Sequence, residues 1–187
     1  MGGNQIGDIS PLSSLINLKN LSLSGTQISD ITPLSSLTSL NALGLSENQI
    51  ADVSALSSLT KLIVLDLNKN TISDIYHLSS LTNLNDLFLN SNQISDISPL
   101  AYITNLHWLF LESNQINNIS SLSSLTNLNQ VSLKGNQIID ISPLVENSGL
   151  GGGCWWCLEN NNLDLNEGSE DMDNIRALEE RGVLVEY

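Results

Sequence analysis

The chain has 187 residues, of which 41% are hydrophobic and only 4% aromatic, a composition that suits a single folded domain. Its 20 acidic and 6 basic side chains give a formal net charge of −14, which disfavours binding to nucleic acid or to anionic membranes. Within this chain we find no signal-peptide pattern and no apolar run of about 20 residues that could insert into a membrane.

A 22-residue repeat organises most of the sequence. Apolar residues recur in each unit at the spacing of Leu106, Leu109 and Leu111. A period of about 20 to 29 residues with this leucine spacing is typical of a leucine-rich-repeat solenoid, in which stacked coils share one core. The units align without a gap through Pro143 and begin at Asn4, Thr26, Asn48, Asn70, Asn92, Asn114 and Asn136.

Each unit predicts a short strand, because apolar residues two positions apart lie on one face of an extended chain. The pairs run from Leu21 and Leu23 to Val131 and Leu133. We therefore expect an α/β solenoid, a horseshoe of about seven coils with a parallel sheet on its concave side. Prolines that each follow Ser or Thr predict short helical turns on the convex side, with the Ser or Thr as N-cap. These prolines are Pro11, Pro33, Pro99 and Pro143.

Two polar columns accompany the turns. An asparagine such as Asn48 follows most strands, and its amide can satisfy backbone groups that the turn leaves unpaired. Thr26 breaks this column and can satisfy fewer groups, which predicts a weaker turn. We expect the second column to accept backbone N–H bonds and not to bind calcium, because the glycine-rich nonapeptide of a calcium β-roll is absent. That column consists of Asp8, Asp30, Asp52, Asp74, Asp96, Asn118 and Asp140.

The unit that begins Asn92-Gln-Ile-Ser-Asp-Ile-Ser-Pro-Leu resembles the 22-residue repeats of bacterial internalin-like proteins, and it is similar to those of a eukaryotic protein-phosphatase regulator. The resemblance covers roughly residues 4–165 and implies the leucine-rich-repeat fold. It favours an extracellular or bacterial cell-surface location but does not imply a partner, because the family binds many unrelated ones. Internalins also carry a helical N-terminal cap, an immunoglobulin-like domain and a cell-wall anchor, which this sequence lacks, so host-cell adhesion is not carried over.

The chain enters in mid-repeat at 1–4, without an amphipathic helix over the first coil, which predicts a trimmed or engineered chain or a fragment. At the other end, residues 169–181 predict a capping helix. Its predicted N-cap is Ser169, and acidic residues fill the first turn. We divide the chain into a solenoid at 1–168 and a C-terminal cap at 169–187.

The predicted capping helix has an apolar face formed by Ile175 and Leu178. Arg181 suits its last turn, where a cation stabilises the helix dipole, and Gly182 suits its C-cap. A short terminal strand is predicted at 183–185, so this tail resembles the closing segment of bacterial leucine-rich-repeat proteins.

A glycine-rich insertion at 149–153 stretches the last repeat spacing from 22 to 25 residues. The register then recovers, with Trp156 and Leu158 in the inward positions of a strand and Asn161 in the turn position. The intervening sequence Cys-Trp-Trp-Cys departs from the related caps.

Cys154 and Cys157 have the spacing of several kinds of cysteine site. A redox pair requires a helix N-terminus, whereas a strand is predicted here. A zinc site requires four ligands, and the only histidines are His77 and His107. Residues three apart in a strand face opposite sides, so we expect free thiols, with Cys154 inside and Cys157 outside and reactive. A disulfide across a tight turn is the alternative.

Most of the Phe and Trp residues fall in columns that point out from the strands onto the concave face. Exposed aromatic side chains are costly unless covered, and Trp is enriched among interface anchors. These residues and their acidic neighbours are the predicted ligand-binding residues: Asp66, Asp86, Phe88, Trp108, Phe110, Glu112 and Trp155.

These features predict a non-enzymatic module whose concave face binds a neutral or basic protein or peptide. An enzyme is disfavoured because the serines fill repeat spacer columns without a histidine partner. We predict no metal and no cofactor. The alternative is a structural or engineered repeat scaffold without a dedicated partner.

Overall fold

In the computed structural model, which describes residues 6–187, eight parallel strands form one open sheet in chain order. Each strand has three residues: β1 Asn20–Ser22, β2 Ala42–Gly44, β3 Val64–Asp66, β4 Asp86–Phe88, β5 Trp108–Phe110, β6 Gln130–Ser132, β7 Trp155–Cys157 and β8 Leu184–Glu186. The predicted leucine-rich-repeat solenoid is confirmed. The predictions for Asn4 and for the start of the chain lie outside the described residues.

Short helical turns lie on the opposite side of the coils. Six are 3-10 helices: Ser10–Ser14, Thr32–Ser36, Ser54–Ser58, Tyr76–Ser80, Ser98–Tyr102 and Ser120–Ser124. The seventh is a short α-helix, α1 (Ser142–Glu146), and the longer α2 (Glu170–Glu180) precedes β8. The proline column of the repeat predicts the convex turns, and the capping residues around 169–182 predict the C-terminal helix.

The strand register follows the sequence period. Leu43 pairs with Leu21 on one side and with Leu65 on the other, so each neighbour lies 22 residues away. Between β6 and β7, Val131 pairs with Trp156. The three additional residues are therefore accommodated outside the sheet, and the predicted recovery of register is confirmed.

One continuous apolar core runs along the solenoid between the sheet and the turns. Inward side chains of successive strands, such as Leu65, Leu87 and Leu109, have no exposed surface, and neither has Leu100 on the return path. Burying one such side chain contributes about 1.5–3 kcal/mol. Since each coil contacts only its neighbours, this burial depends on stacking.

A buried asparagine joins each coil to the one before it. The Asn70 amide nitrogen donates to Leu45 O and Leu67 O, both at 3.0 Å, while Oδ1 accepts the N–H of Ile50 at 3.0 Å. One side chain thus satisfies backbone groups in two coils, as predicted. Thr26 instead donates to Leu23 O of its own coil, at 2.6 Å.

The aspartate column caps the convex turns. Asp52 Oδ1 accepts the N–H of Ser54 at 2.8 Å, and Asn118 Oδ1 accepts that of Ser120 at 2.9 Å. Hydrogen bonds to residue 54 lower the pKa of the Asp52 carboxyl. The predicted acceptor role is confirmed, but the Ser or Thr was wrongly assigned as N-cap. The Ser or Thr is instead the first residue of the turn. Its backbone N–H donates to the aspartate two residues earlier, whose longer side chain reaches that group.

Two further columns of side-chain hydrogen bonds connect neighbouring coils on the convex side. Ser58 Oγ donates to Ser35 O at 2.7 Å, and Ser80 Oγ repeats this contact one coil later. Asn105 Nδ2 donates to Thr82 O at 2.8 Å in a parallel column. The serine-rich spacers therefore hold neighbouring coils together.

The C-terminal helix closes the core as predicted. Ser169 Oγ accepts the N–H of Met172 at 3.2 Å, and the helix buries Ile175 and Leu178. Gly182 ends it with a φ of +84°, a backbone conformation that favours glycine. The final strand was predicted one residue too early.

Arg181 has a different role from the one predicted. It lies at the C-cap, and its guanidinium donates to Val145 O at 2.8 Å and to Leu150 O at 2.6 Å. Its charge thus ties the cap to α1 and to the glycine-rich insertion. The insertion itself approaches the preceding coil closely, since a Cβ on Gly149 would lie 1.9 Å from Thr126 O.

We predict that Gly149→Ala destabilises the protein by about 1–3 kcal/mol or more, because the clash is with backbone that must move. The matched control is Gly152→Ala in the same insertion, where a Cβ would meet nothing within 4 Å. Urea denaturation of the two variants checks this. Equal urea unfolding midpoints for the two variants would contradict the close contact between Gly149 and Thr126.

We also predict that Asp52→Asn removes a pH-dependent part of the stability. Asparagine keeps the acceptor, as Asn118 does, but loses the charge. Because the pKa of Asp52 is lowered by folding, its charge stabilises the fold above the unfolded pKa of about 3.9 and this stabilisation is lost as the pH falls through the folded value. In thermal melts the wild type should have a higher Tm than the variant at pH 7 and the same Tm near pH 2. A constant difference would contradict the prediction.

Candidate functional site

The outward side chains of β3 to β5 form one surface on the concave face. Asp66, Phe88 and Phe110 are register neighbours in one column, and Asp86 and Trp108 are neighbours in the next. Adjacent strands are about 4.8 Å apart, so these side chains are within contact range of one another. We call Asp66, Asp86, Phe88, Trp108, Phe110 and Glu112 the concave patch.

Three aromatic rings form the centre of the concave patch. The rings of Phe88 and Phe110 stack with their centroids 5.4 Å apart and their planes at 23°. Both are half-buried, whereas Trp108 keeps 42% of its surface exposed. This distance and angle are typical of offset-stacked aromatic pairs, and the two rings form a ridge on the sheet in the unliganded protein.

Carboxylates lie on both sides of these rings. Asp66 Oδ1 accepts the N–H of Asn68 at 3.0 Å, which orients its side chain at the end of β3. The carboxyl of Asp86 is half-buried, and desolvation raises its pKa, an effect that nearby His107 partly offsets. The patch therefore joins apolar surface to acceptor groups without a neutralising ion pair on Asp66 or Asp86 among residues 6–187.

Two asparagines that we did not predict as site residues hold this edge of the patch. Asn68 Oδ1 accepts the N–H of Asn90, and Asn90 Oδ1 accepts the N–H of Glu112, each at 2.7 Å. Their recurrence one coil apart, just after the strand, was the available signal. These bonds set the position of Glu112 at the end of β5.

Trp155 lies on β7, separated from Trp108 by Gln130 of β6. Its indole N–H donates to Glu186 Oε1 at 3.0 Å, so this side chain contacts the C-terminal strand. Of the seven predicted binding residues, the structure brings six together, and Trp155 stands apart from them.

The prediction that Cys157 is exposed was wrong. It lies in the outward column of β7 but only 4% of its surface is accessible, and Cys154 is also buried. The neighbours of Cys157 include Glu159, which forms an ion pair with Lys134, and desolvation raises the pKa of the Cys157 thiol. Both thiols are free.

The two histidines make local contacts on opposite sides of the solenoid. His107 Nδ1 hydrogen-bonds Asn105 O at 2.8 Å, and His77 is exposed on the convex side, where it meets the ring edge of Tyr76. Residues 6–187 contain no cluster of three or more His, Cys, Asp or Glu side chains that could hold a metal ion. In the same range, every helix is too short or too polar to cross a membrane.

Comparison with known proteins shows similarity along almost the whole chain. An internalin (inlF) from Listeria monocytogenes is 39% identical with a TM-score of 0.87, over 97% of this chain and 51% of its own. An internalin C2 from the same organism is 38% identical with a TM-score of 0.77, over 88% of this chain and 69% of its own. This chain thus spans about half the length of the first internalin.

Three further findings come from these comparisons. The ectodomain of the Arabidopsis thaliana receptor kinase GASSHO1/SCHENGEN3, solved in complex with CASPARIAN STRIP INTEGRITY FACTOR 2, is 26% identical with a TM-score of 0.72, over 87% of this chain and 21% of its own. A search of curated proteins found no match. The family model of leucine-rich repeats in two copies matches residues 1–36, 16–58, 38–79, 60–102 and 104–146.

We predict that both thiols react slowly with a disulfide reagent such as Ellman's reagent. Burial hides the sulfur atoms, and the raised pKa of Cys157 reduces its reactive thiolate form. Relative to the urea-unfolded chain, the native protein should react at least about tenfold more slowly at both sites. One thiol that reacts at the unfolded rate would contradict the packing of β7.

Proposed function

The chain belongs to the internalin-like leucine-rich-repeat proteins, and we propose that it is a non-enzymatic module that binds a protein or peptide on its concave face. The proposed binding residues are those of the concave patch. The observation that carries the proposal is the exposed Trp108 beside the stacked Phe88 and Phe110.

The exposed ring is difficult to explain by folding alone. Several other outward positions of the same columns hold small or polar residues, such as Ser22, Ala42 and Gln130, so the strand does not require an aromatic side chain there. An indole with 42% of its surface in water gains only part of the free energy that burial would provide. A partner that covered the ring would supply the rest, as it does for Trp anchors in interfaces.

Charge favours a basic or neutral partner. Asp66, Asp86 and Glu112 flank the rings, and the whole chain carries a formal net charge of −14. A basic segment would therefore be attracted at long range and oriented at contact. Acidic partners would meet uncompensated carboxylates.

The position of Trp155, away from the concave patch, makes it a secondary candidate for a binding residue. Its hydrogen bond to Glu186 fixes the ring at the C-terminal end of the sheet, one strand beyond Gln130. A long partner could extend to it, whereas a short peptide would be limited to β3 to β5.

Random-peptide display on the immobilised protein tests the proposal. We predict that Trp108→Ala weakens the best selected peptide by about 2 kcal/mol or more, which is roughly 30-fold in Kd. Binding should also weaken as salt rises from about 50 to 300 mM, because screening reduces the attraction of the acidic face. Isothermal titration calorimetry measures both effects.

The control is Tyr102→Ala, which removes an aromatic ring that is 68% exposed on the convex side. It should leave the peptide Kd unchanged. Unchanged binding by Trp108→Ala would place the site elsewhere. Failure to select any peptide or protein would favour a repeat scaffold without a dedicated partner.

A further inference from the structure

A shallow hollow lies on the concave face directly beside the concave patch. It spans β1 to β3, and we call it the Gly44 hollow because that residue lies in its floor. Leu21, Ala42, Leu43, Gly44, Val64 and Asp66 are among its lining residues.

The hollow exists because the outward side chains of these coils are small. In register order, one column places Gly44 between Ser22 and Asp66, whereas the same column holds two phenylalanines in the following coils. Without a side chain at Gly44 the surface drops to the level of the sheet. The remaining lining is mostly carbon, with half-buried Val64 facing the hollow and the inward-column residues Leu21 and Leu43 forming part of its floor.

One carboxylate stands at the rim of this apolar floor. Asp66 is the only charged residue of the lining. Its Oδ1 accepts the N–H of Asn68, and its Oδ2 accepts no hydrogen bond from the chain between residues 6 and 187. The ion pairs of that same part of the chain do not include it.

We propose that the Gly44 hollow is a subsite for a lysine or arginine side chain of the partner, an inference that rests on the proposed function. The methylene stem would cover the carbon floor, and the cationic head would reach the open side of Asp66. Because Asp66 is the register neighbour of Phe88, the head would also lie beside an aromatic ring, which attracts cations. The subsite is thus continuous with the concave patch.

The alternative occupant is a purely apolar side chain, and a pair of small probes separates the two. Nα-acetyl-lysine methylamide and Nα-acetyl-norleucine methylamide share the stem and differ in the charged head. Titration of the ¹⁵N-labelled protein followed by amide chemical shifts reports which residues each probe touches. The lysine probe should shift the amides of 42–44 and 64–66 and bind up to about fivefold more tightly than the norleucine probe, the range of an exposed charge pair.

Two substitutions test the two halves of the subsite. Gly44→Val fills the hollow and should abolish the shifts; its Cβ would sit 3.3 Å from Ser24 Oγ, a hydroxyl that can rotate. Asp66→Asn keeps the shape and should reduce lysine-probe binding by up to about fivefold, to the level of norleucine. Should Gly44→Val not fold, the comparison of probes and Asp66→Asn still decides the question.

The control is Asp74→Asn, which makes the same change in net charge on the opposite side of the coil. It should leave the lysine titration unchanged. Equal binding of the two probes, absence of shifts at 42–44, or an undiminished titration with Asp66→Asn would each overturn the subsite. Loss of a selected peptide with Trp108→Ala, together with any of those results, would retain the proposed function and reject only the subsite.

Discussion

The backbone of a tight coil must turn inward at the end of each strand, and there its polar groups leave water without reaching a strand partner. An unpaired buried backbone group costs about 1–3 kcal/mol, so a stack of coils cannot tolerate one per turn. The buried asparagines remove this cost, because Asn70 and its equivalents bond carbonyls of their own coil and of the coil before. Each turn is therefore completed only when two coils are stacked. The need for a neighbour is built into the hydrogen bonding as well as into the apolar core.

This arrangement separates residues that maintain the coil from residues that are free to vary. The inward leucines, the turn asparagines and the capping aspartates are engaged throughout the described units, with Thr26 and Asn118 as the exceptions in the two polar columns. On the sheet face, only the outward positions of three-residue strands remain. Aromatic rings, carboxylates and Gly44 occupy these positions without disturbing the hydrogen bonds between neighbouring coils. A ridge and a hollow can thus be placed side by side on one regular scaffold.

Sequence reasoning was most accurate where a residue contacts only its own coil or the next one. The strands, the asparagine turns and the outward direction of Phe88 and Trp108 all follow from a period that neighbours share. It was inaccurate where distant segments meet. Exposure of Cys157 depends on Glu159, Lys134 and the C-terminal strand that pairs with β7, and the contact between Trp155 and Glu186 joins residues 31 positions apart.

Competition between similar groups was the second cause of error. Ser54 and Asp52 can both accept a bond at the start of the turn, and their spacing alone does not determine which does so. The carbonyls that accept hydrogen bonds from Arg181 belong to α1 and to an insertion without an equivalent in the other coils, so no repeat pattern could indicate the contact. Binding residues remain the least predictable part, because outward positions carry no periodic constraint.

The constant register of the strands has a consequence for how such a chain can change in length. Adding or deleting one whole 22-residue unit between β1 and β6 would leave the remaining interfaces with their apolar and hydrogen-bond contacts in place, since the strands there have a constant spacing. Any other length change would rotate the inward residues out of the core unless, as with the insertion at 149–153, the additional residues are accommodated outside the sheet. Unit duplication outside β3 to β5 would also leave the aromatic ridge intact, whereas duplication between β4 and β5 would place a further phenylalanine in the column of Phe88 and Phe110. Recombination between units would therefore lengthen the solenoid on either side of the ridge, and within it would lengthen the ridge as well.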